Sequence, residues 1–320
     1  MTEVKYIRAC SVWRALEVIG DTPTLLILES AFLRVNRFDG FLSRTGILRS
    51  LLSNRLSKLV EAGCMEKKLY QERPKRYEYK LTEKGRGTYG IALMMLRWEN
   101  KWGRHAGKIK VALMHKNCGH AFFPASRCSQ CHENIDARSV RFEEGPGLAE
   151  MPQDYGRRRR QTSAAQNRQN KTTLFDTILA IIGDRWSALV LRSCFTGINT
   201  FDDILDDTGM ATNILSERLH SLIDSGILVK DAYQERPTRY RYKLTEKGLD
   251  IYPIQLELIK WGDRWFASKE GPPVLLFHTK CNAPLGAVIC CNHCGETLNP
   301  EDVEFQIHEP ELVEEPKLVG

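Results

Sequence analysis

MEKKLYQERPKRYEYKLTEKG, residues 65–85, returns as LVKDAYQERPTRYRYKLTEKG, residues 228–248. The offset is 163 residues, and it is kept outside this stretch. Ile19-Gly20-Asp21 recurs as Ile182-Gly183-Asp184, and Trp98 and Trp102 recur as Trp261 and Trp265. The copies align without a gap from about residue 10 to Phe142 and from about Thr173 to Phe305. A shared register of this length indicates duplication of one unit of ordinary domain size.

Within the quoted stretch, Met65 to Tyr70 and Tyr77 to Leu81 read as two strands. Pro74 keeps the segment between them out of regular pairing, so a β-hairpin with a basic tip is expected. Upstream, Val12 to Ile19 has helical spacing. Asp21 is placed to cap a second helix with Pro23 in its first turn. Phe38 to Ser43 forms a short helix, and Gly46 marks the turn after it. A helix over Arg49–Ala62 puts Leu52, Leu56 and Leu59 on one face and ends at Gly63. Downstream, a long helix carries the two tryptophans, which read as core or dimer packing. This order is a winged helix-turn-helix.

The fold class expected is therefore mainly α with small β-hairpin wings (α+β), two tandem winged helix-turn-helix domains each followed by a zinc-ribbon-like knuckle. The expected boundaries are 1–110 and 171–273 for the helix-turn-helix domains and 111–144 and 274–309 for the knuckles. A flexible linker is expected over 145–170 and a disordered tail over 310–320. The arginine run Arg157–Arg160 falls in that linker.

A helix-turn-helix presents a polar helix to the major groove while the wing reaches phosphates or the minor groove. In the first copy this singles out Arg49, Ser50, Ser53, Asn54, Arg55 and Lys58 on the helix, with Arg73, Lys75 and Arg76 on the wing. In the second copy it singles out Asn213, Ser216, Arg236 and Arg239. Charge separates the copies. Residues 1–142 carry a net +13, whereas residues 173–320 carry −9. Thr212, Glu217 and Ser221 replace Arg49, Asn54 and Lys58, and four acids (Asp202, Asp203, Asp206, Asp207) crowd the preceding helix. Phosphates repel such a face. The first copy is therefore expected to supply most of the affinity for double-stranded DNA. The alternative is a protein-interaction module whose second copy has lost DNA binding.

Each copy ends in H-x2-C-x9-C-x2-C: His115, Cys118, Cys128, Cys131, and then His278, Cys281, Cys291, Cys294. Four soft donors in two pairs suit a tetrahedral, structural zinc, so two ions are expected, one per copy. His120, His132 and His293 lie nearby but have no counterpart in the other copy. Val140 and Phe142, like Val303 and Phe305, are expected to form a short strand beyond the knuckle. Cys64 and Cys194 sit among apolar residues and read as core.

No zinc-hydrolase constellation such as H-E-x-x-H is present, so the chain reads as a non-enzyme. No apolar run reaches the roughly 18 residues a membrane helix needs, and Met1 to Cys10 has no signal-peptide core. The expected location is cytoplasmic, where the ten cysteines would be reduced.

The residues that carry a family likeness are Cys10 through Ile19-Gly20-Asp21, Arg37-Phe38, Leu52-Ser53-Asn54-Arg55-Leu56, Leu69 to Pro74 and Tyr77 to Gly85. With them the chain resembles the HxlR family of winged-helix regulators. The resemblance implies transcription regulation through DNA, dimerisation by the outer helices, and, as in some members, a candidate redox switch at the N-terminal cysteine, here Cys10, for which the residues themselves favour a passive thiol. A tandem chain would then form an intramolecular pseudo-dimer, with further homodimerisation open. A small-molecule effector is a further candidate partner. The sequence departs from the family at Thr22-Pro23, where the second copy keeps the usual Arg185-Trp186, and at Thr173, which replaces Cys10.

Overall fold

In the computed structural model the described residues are 6–8, 10–103, 110–152 and 173–308. A short strand β1 (Tyr6–Arg8) precedes α1 (Ser11–Ile19) and α2 (Thr22–Phe32). Asp21 caps α2, its carboxylate accepting from Thr24 N at 2.9 Å, and Pro23 takes the first turn, where its missing N–H costs nothing. The run Pro23–Ser30 is buried all round, so α2 is a central helix.

Next come α3 (Phe38–Thr45) and α4 (Arg49–Glu61), joined through Gly46 at φ 65°, a left-handed turn that suits glycine. Leu52, Leu56 and Leu59 of α4 are buried. The wing pairs β2 (Met65–Gln71) with β3 (Arg76–Leu81), Met65 opposite Leu81. The short α5 (Glu83–Arg86) and the long α6 (Tyr89–Trp102) follow. Then come β4 (Lys110–His115), β5 (His120–Phe122), β6 (Pro124–Cys128), β7 (Val140–Glu144) and β8 (Glu150–Pro152).

The second repeat has the same order: α7 (Asp176–Ile182), α8 (Arg185–Phe195), α9 (Phe201–Thr208), α10 (Thr212–Asp224), wing β9 (Leu228–Glu235) and β10 (Thr238–Leu244), α11 (Glu246–Leu249) and α12 (Tyr252–Phe266). It closes with β11 (Val274–His278), β12 (Ala287–Cys291) and β13 (Val303–His308).

The repeats share one continuous apolar core. The first helix of each packs against the long helix of the other, α1 on α12 and α7 on α6. The contacts are reciprocal. Trp98 Nε1 donates to Lys247 O at 3.0 Å, and Trp261 Nε1 donates to Lys84 O at 2.9 Å. One exchange is broken by sequence. Glu99 accepts from Thr177 N and Ile178 N and so caps the start of α7. Its counterpart is Gly262, where an added Cβ would lie 2.3 Å from Ser11 O. Glycine thus lets α12 approach α1 more closely than any side chain would.

The strands after the long helices also cross. β4 pairs with β13, β7 with β11, and β6 with β12, each an antiparallel pairing between repeats. Ser126 opposes Ile289, its own counterpart in the duplication. The expected self-contained knuckles are therefore corrected: the two interlock. Val140–Phe142 and Val303–Phe305 do form strands, but against the other repeat. Pairing across the repeats satisfies edge strands that each knuckle alone would leave open.

A second correction concerns the linker expected from residue 145. Gly145 N donates to Pro273 O, and Glu150–Pro152 pairs with Tyr6–Arg8, so residues 145–152 are built into the fold. The rest of that span, with Arg157–Arg160, and the tail 310–320 lie outside the described residues. Among the described residues no helix is long and apolar enough to cross a membrane.

Candidate nucleic-acid interface and metal centres

The exposed face of α4 carries Arg49, Ser50, Ser53, Asn54 and Lys58. Arg49 lies 3.1 Å from Asp39 and over the Phe38 ring. Arg55 does not join this face. It is 6% exposed, and its Nε donates to both carboxylate oxygens of Asp21 at 2.9–3.0 Å. Its Nη1 holds Asn54 Oδ1 at 2.6 Å, which orients the Asn54 amide. Arg55 is thus corrected from a base reader to a strut between α4 and the cap of α2. The signal was present: residues 52, 55, 56 and 59 follow the i, i+3, i+4, i+7 spacing of a buried face.

On the first wing Arg73, Lys75 and Arg76 are exposed, and Gln71 Nε2 donates to Arg73 O at 2.9 Å across the tip. Gln234 makes the same bond to Arg236 O in the second wing, where Arg236 and Arg239 are exposed. Two basic residues missed at first extend the wings. Lys67 and Lys230, equivalent positions, lie over the Tyr77 and Tyr240 rings at 4.1 and 3.7 Å. Arg37 stacks on Tyr70 at 4.8 Å and Arg241 on Tyr233 at 4.8 Å.

In the second reading unit Asn213, Ser216 and Glu217 of α10 are exposed. Arg218 repeats the strut, bonding Asp184 and reaching Glu217 at 2.9 Å. The four acids of α9 do not act alike. Asp202, Asp203 and Asp206 are exposed, but the Asp207 side chain is largely covered between Arg192 and Arg8. The negative charge facing solvent is smaller than its sequence suggests.

The eight Cys and His donors form two groups, and both cross the repeats. One is His115, Cys118, Cys291 and Cys294; the other is Cys128, Cys131, His278 and Cys281. The expected grouping of four donors within each copy is therefore corrected. Interlocked strands carry each H-x2-C pair to the C-x2-C pair of the other repeat. All ten cysteines are unbridged. Cys128 Sγ and Cys281 Sγ lie 3.8 Å apart, near the edge of a tetrahedron with arms of about 2.3 Å. His278 Nδ1 is 3.2 Å from Cys131 Sγ, and His115 Nδ1 is 3.2 Å from Cys294 Sγ. Burial opposes a Cys128 thiolate, yet the N–H groups of Cys131 and Gln130 together with the Cys131 and Cys281 thiols lower its pKa. The N–H groups of Cys294 and His293 with the Cys294 and Cys118 thiols do the same for Cys291. Both centres suit a soft divalent ion. His120 and His293 stack at 3.7 Å beside Cys118, outside the four-donor set.

Residues 18–106 and 181–270 each match the HxlR-like helix-turn-helix family, and together they make up more than half of the chain. The chain belongs to the HxlR-like helix-turn-helix family.

An HTH-type transcriptional regulator of Mycobacterium tuberculosis is 40% identical over 125 residues, covering 39% of this chain and 79% of the relative. YvaP, an HTH-type transcriptional regulator of Bacillus subtilis, is 32% identical over 100 residues, 31% of this chain and 93% of YvaP. The crystal structure of diamide-treated B. subtilis YodB aligns at 26% identity and a TM-score of 0.25, covering 28% of this chain and 90% of that chain. Both curated relatives are HTH-type transcriptional regulators.

Of the family features expected from sequence, Cys10 caps α1, its Sγ accepting from Trp13 N, and is 7% exposed. Arg185 and Trp186 pack on Trp13, with ring centroids of the two tryptophans 6.1 Å apart. Burial raises Cys64 to about 11 and Cys194 to about 12; Cys64 lies in the core, as expected, whereas Cys194 is half-buried at its edge.

Proposed function

We propose that this HxlR-like regulator binds double-stranded DNA sequence-specifically as an intramolecular pseudo-dimer. α4 enters the major groove, reading bases with Ser50, Ser53 and Asn54 while Arg49 and Lys58 meet phosphates. Arg73, Lys75 and Arg76 of the wing lie on the backbone or in the minor groove beside it. The observation that carries this reading is the exposed polar face of α4 next to a basic wing, repeated in α10 through Asn213 and Ser216 and in its wing through Arg236 and Arg239.

The repeats are unequal in this reading. α4 offers Arg49 and Lys58 where α10 offers Thr212 and Ser221, and Glu217 takes the place of Asn54. The first repeat supplies most affinity, and the second reads a weaker half-site. The shared core makes separate halves poor reagents, so the comparison belongs in the full chain.

The two cross-repeat centres each hold one structural zinc, bound by His115, Cys118, Cys291 and Cys294 and by Cys128, Cys131, His278 and Cys281. A bound ion supplies no chemistry here beyond cross-linking the repeats. The domains accordingly run to about residues 110 and 273, and the later strands form one joint knuckle. Location in the cytoplasm fits reduced donors of this kind.

Selection of bound duplexes from a random DNA pool, with the zinc-loaded full chain, tests the reading. Two unequal half-sites are expected. Absence of any enriched motif at moderate salt overturns it. It would favour a protein-interaction module, for which the exposed Asp202, Asp206 and Glu217 are the supporting feature.

A further inference from the structure

A cavity with about 660 Å3 of empty space, its open mouth included, lies between α8, α12 and strands β7 and β11. Its walls are mostly apolar, with Val12, Phe142, Phe195, Tyr252, Ile259 and Leu276 among them. Two polar side chains on its wall are 9% and 2% exposed, Arg192 and Gln255. Each leaves one buried atom without a hydrogen-bond partner, Arg192 Nε and Gln255 Oε1. Such orphans are rare in folded proteins and call for a partner. The rest of each group is engaged. Arg192 Nη2 donates to Asp207 O at 3.2 Å and to the Asp207 carboxylate, while Gln255 Nε2 donates to Ala188 O at 2.9 Å. Arg8 also pairs with Asp207 at 3.0 Å, and the Cys10 thiol faces Arg192 as well, so two guanidinium groups share one carboxylate.

We propose that this cavity is a binding site for a small aromatic acid that also carries a hydroxyl group. The ring fills the apolar walls, the carboxylate accepts from Arg192 Nε, and the hydroxyl donates to Gln255 Oε1.

The duplication supplies an internal control. The equivalent cavity of the first repeat, about 640 Å3, has Glu29 where Arg192 stands and Ala92 where Gln255 stands. Glu29 is itself paired with Arg44 at 3.5 Å and offers a carboxylate where Arg192 offers a donor, and Ala92 offers no acceptor, so one ligand per chain is expected. The site also touches the second reading unit. Asp207 lies in the last turn of α9, and Ser193 Oγ donates to the same carboxylate at 2.6 Å. A ligand that draws on Arg192 therefore acts on the helix that precedes α10. This last consequence rests on the DNA-binding reading; occupancy of the cavity does not.

The test is calorimetric titration of the zinc-loaded full chain, without DNA, using the three hydroxybenzoate isomers as probes. Expected is one equivalent of at least one isomer, bound about tenfold or more tighter than the matching uncharged hydroxybenzyl alcohol, the scale of one charged hydrogen bond. Gln255→Ala, which copies the residue of the first repeat, and Arg192→Gln each weaken that binding about tenfold. Should Arg192→Gln fail to fold, Gln255→Ala decides alone. Binding of none of the isomers, two equivalents per chain, or unchanged affinity in Gln255→Ala overturns the proposal.

Discussion

Asp21 and Asp184, equivalent residues 163 positions apart, face each other in an isolated antiparallel bridge where the repeats meet. Each carboxylate does two further things. Asp21 caps α2 and pairs with Arg55 of α4, and Asp184 caps α8 and pairs with Arg218 of α10. α4 and α10 are each thereby tied to the centre of the molecule through one arginine.

Arg55→Met should behave as a stability mutation. It leaves the Asp21 carboxylate buried without its cation, a loss of about 3 kcal/mol in urea unfolding. Arg218→Met should cost less, because its side chain is 26% exposed against 7% for Arg55. Equal, small effects at both sites would show that the strut does not hold the helices.

The crossing of the metal centres predicts zinc stoichiometry. Wild type should hold two equivalents. Cys118→Ser with Cys294→Ser strikes one centre and should leave one ion. Cys118→Ser with Cys131→Ser strikes both and should leave none. Donors grouped within each copy would give the reverse order, so metal analysis of these two double variants separates the arrangements.

Arg73→Ala and Arg76→Ala should each weaken DNA binding by a similar factor for all sequences. Each should also reduce the slope of log K against log salt by about 1. Asn54→Ala should instead change the selected motif. Preserved salt slopes in both wing variants would remove the wing from the interface.

Acid should weaken the contact between α6 and the end of α11 at Asp250. Burial alone would raise the Asp250 carboxyl, but Arg97, the Trp102 Nε1 donor and Lys101 outweigh it and hold its pKa below the ordinary 3.8. A carboxylate depressed in the folded state stabilises fully above its unfolded pKa, and that stability is lost as pH falls through the folded value. Asp250→Asn should therefore lower stability at neutral pH and flatten the fall in stability below about pH 4. A titration of unfolding free energy against pH, unchanged by the substitution, would count against this pairing.

Thiol alkylation at pH 8 should spare Cys64 and Cys194 in the folded chain, since burial holds them near 11 and 12. Mass spectrometry of peptides after a short exposure to iodoacetamide checks this. Rapid labelling of either would mean that its surroundings open readily.

Much of this protein was legible in one dimension. The offset of 163 residues, the helix-turn-helix with Gly46 at its turn, the basic wing and the eight donor side chains all follow from local pattern. Such features depend on neighbours within a few turns or one hairpin, where spacing sets geometry. The tertiary structure alone decided which donors share a centre. Duplication gives both copies identical H-x2-C and C-x2-C pairs, so spacing is the same for pairing within a copy and across copies. Only the shared core, which lays β4 against β13 and β7 against β11, breaks the tie. The same holds for Arg55, Asp207 and Arg192. Arg55 was expected on the DNA face and Asp207 in an acidic run, and nothing local singled out Arg192; packing placed each against an opposite charge. Burial and long-range pairing arise when distant elements meet, and no local period records them.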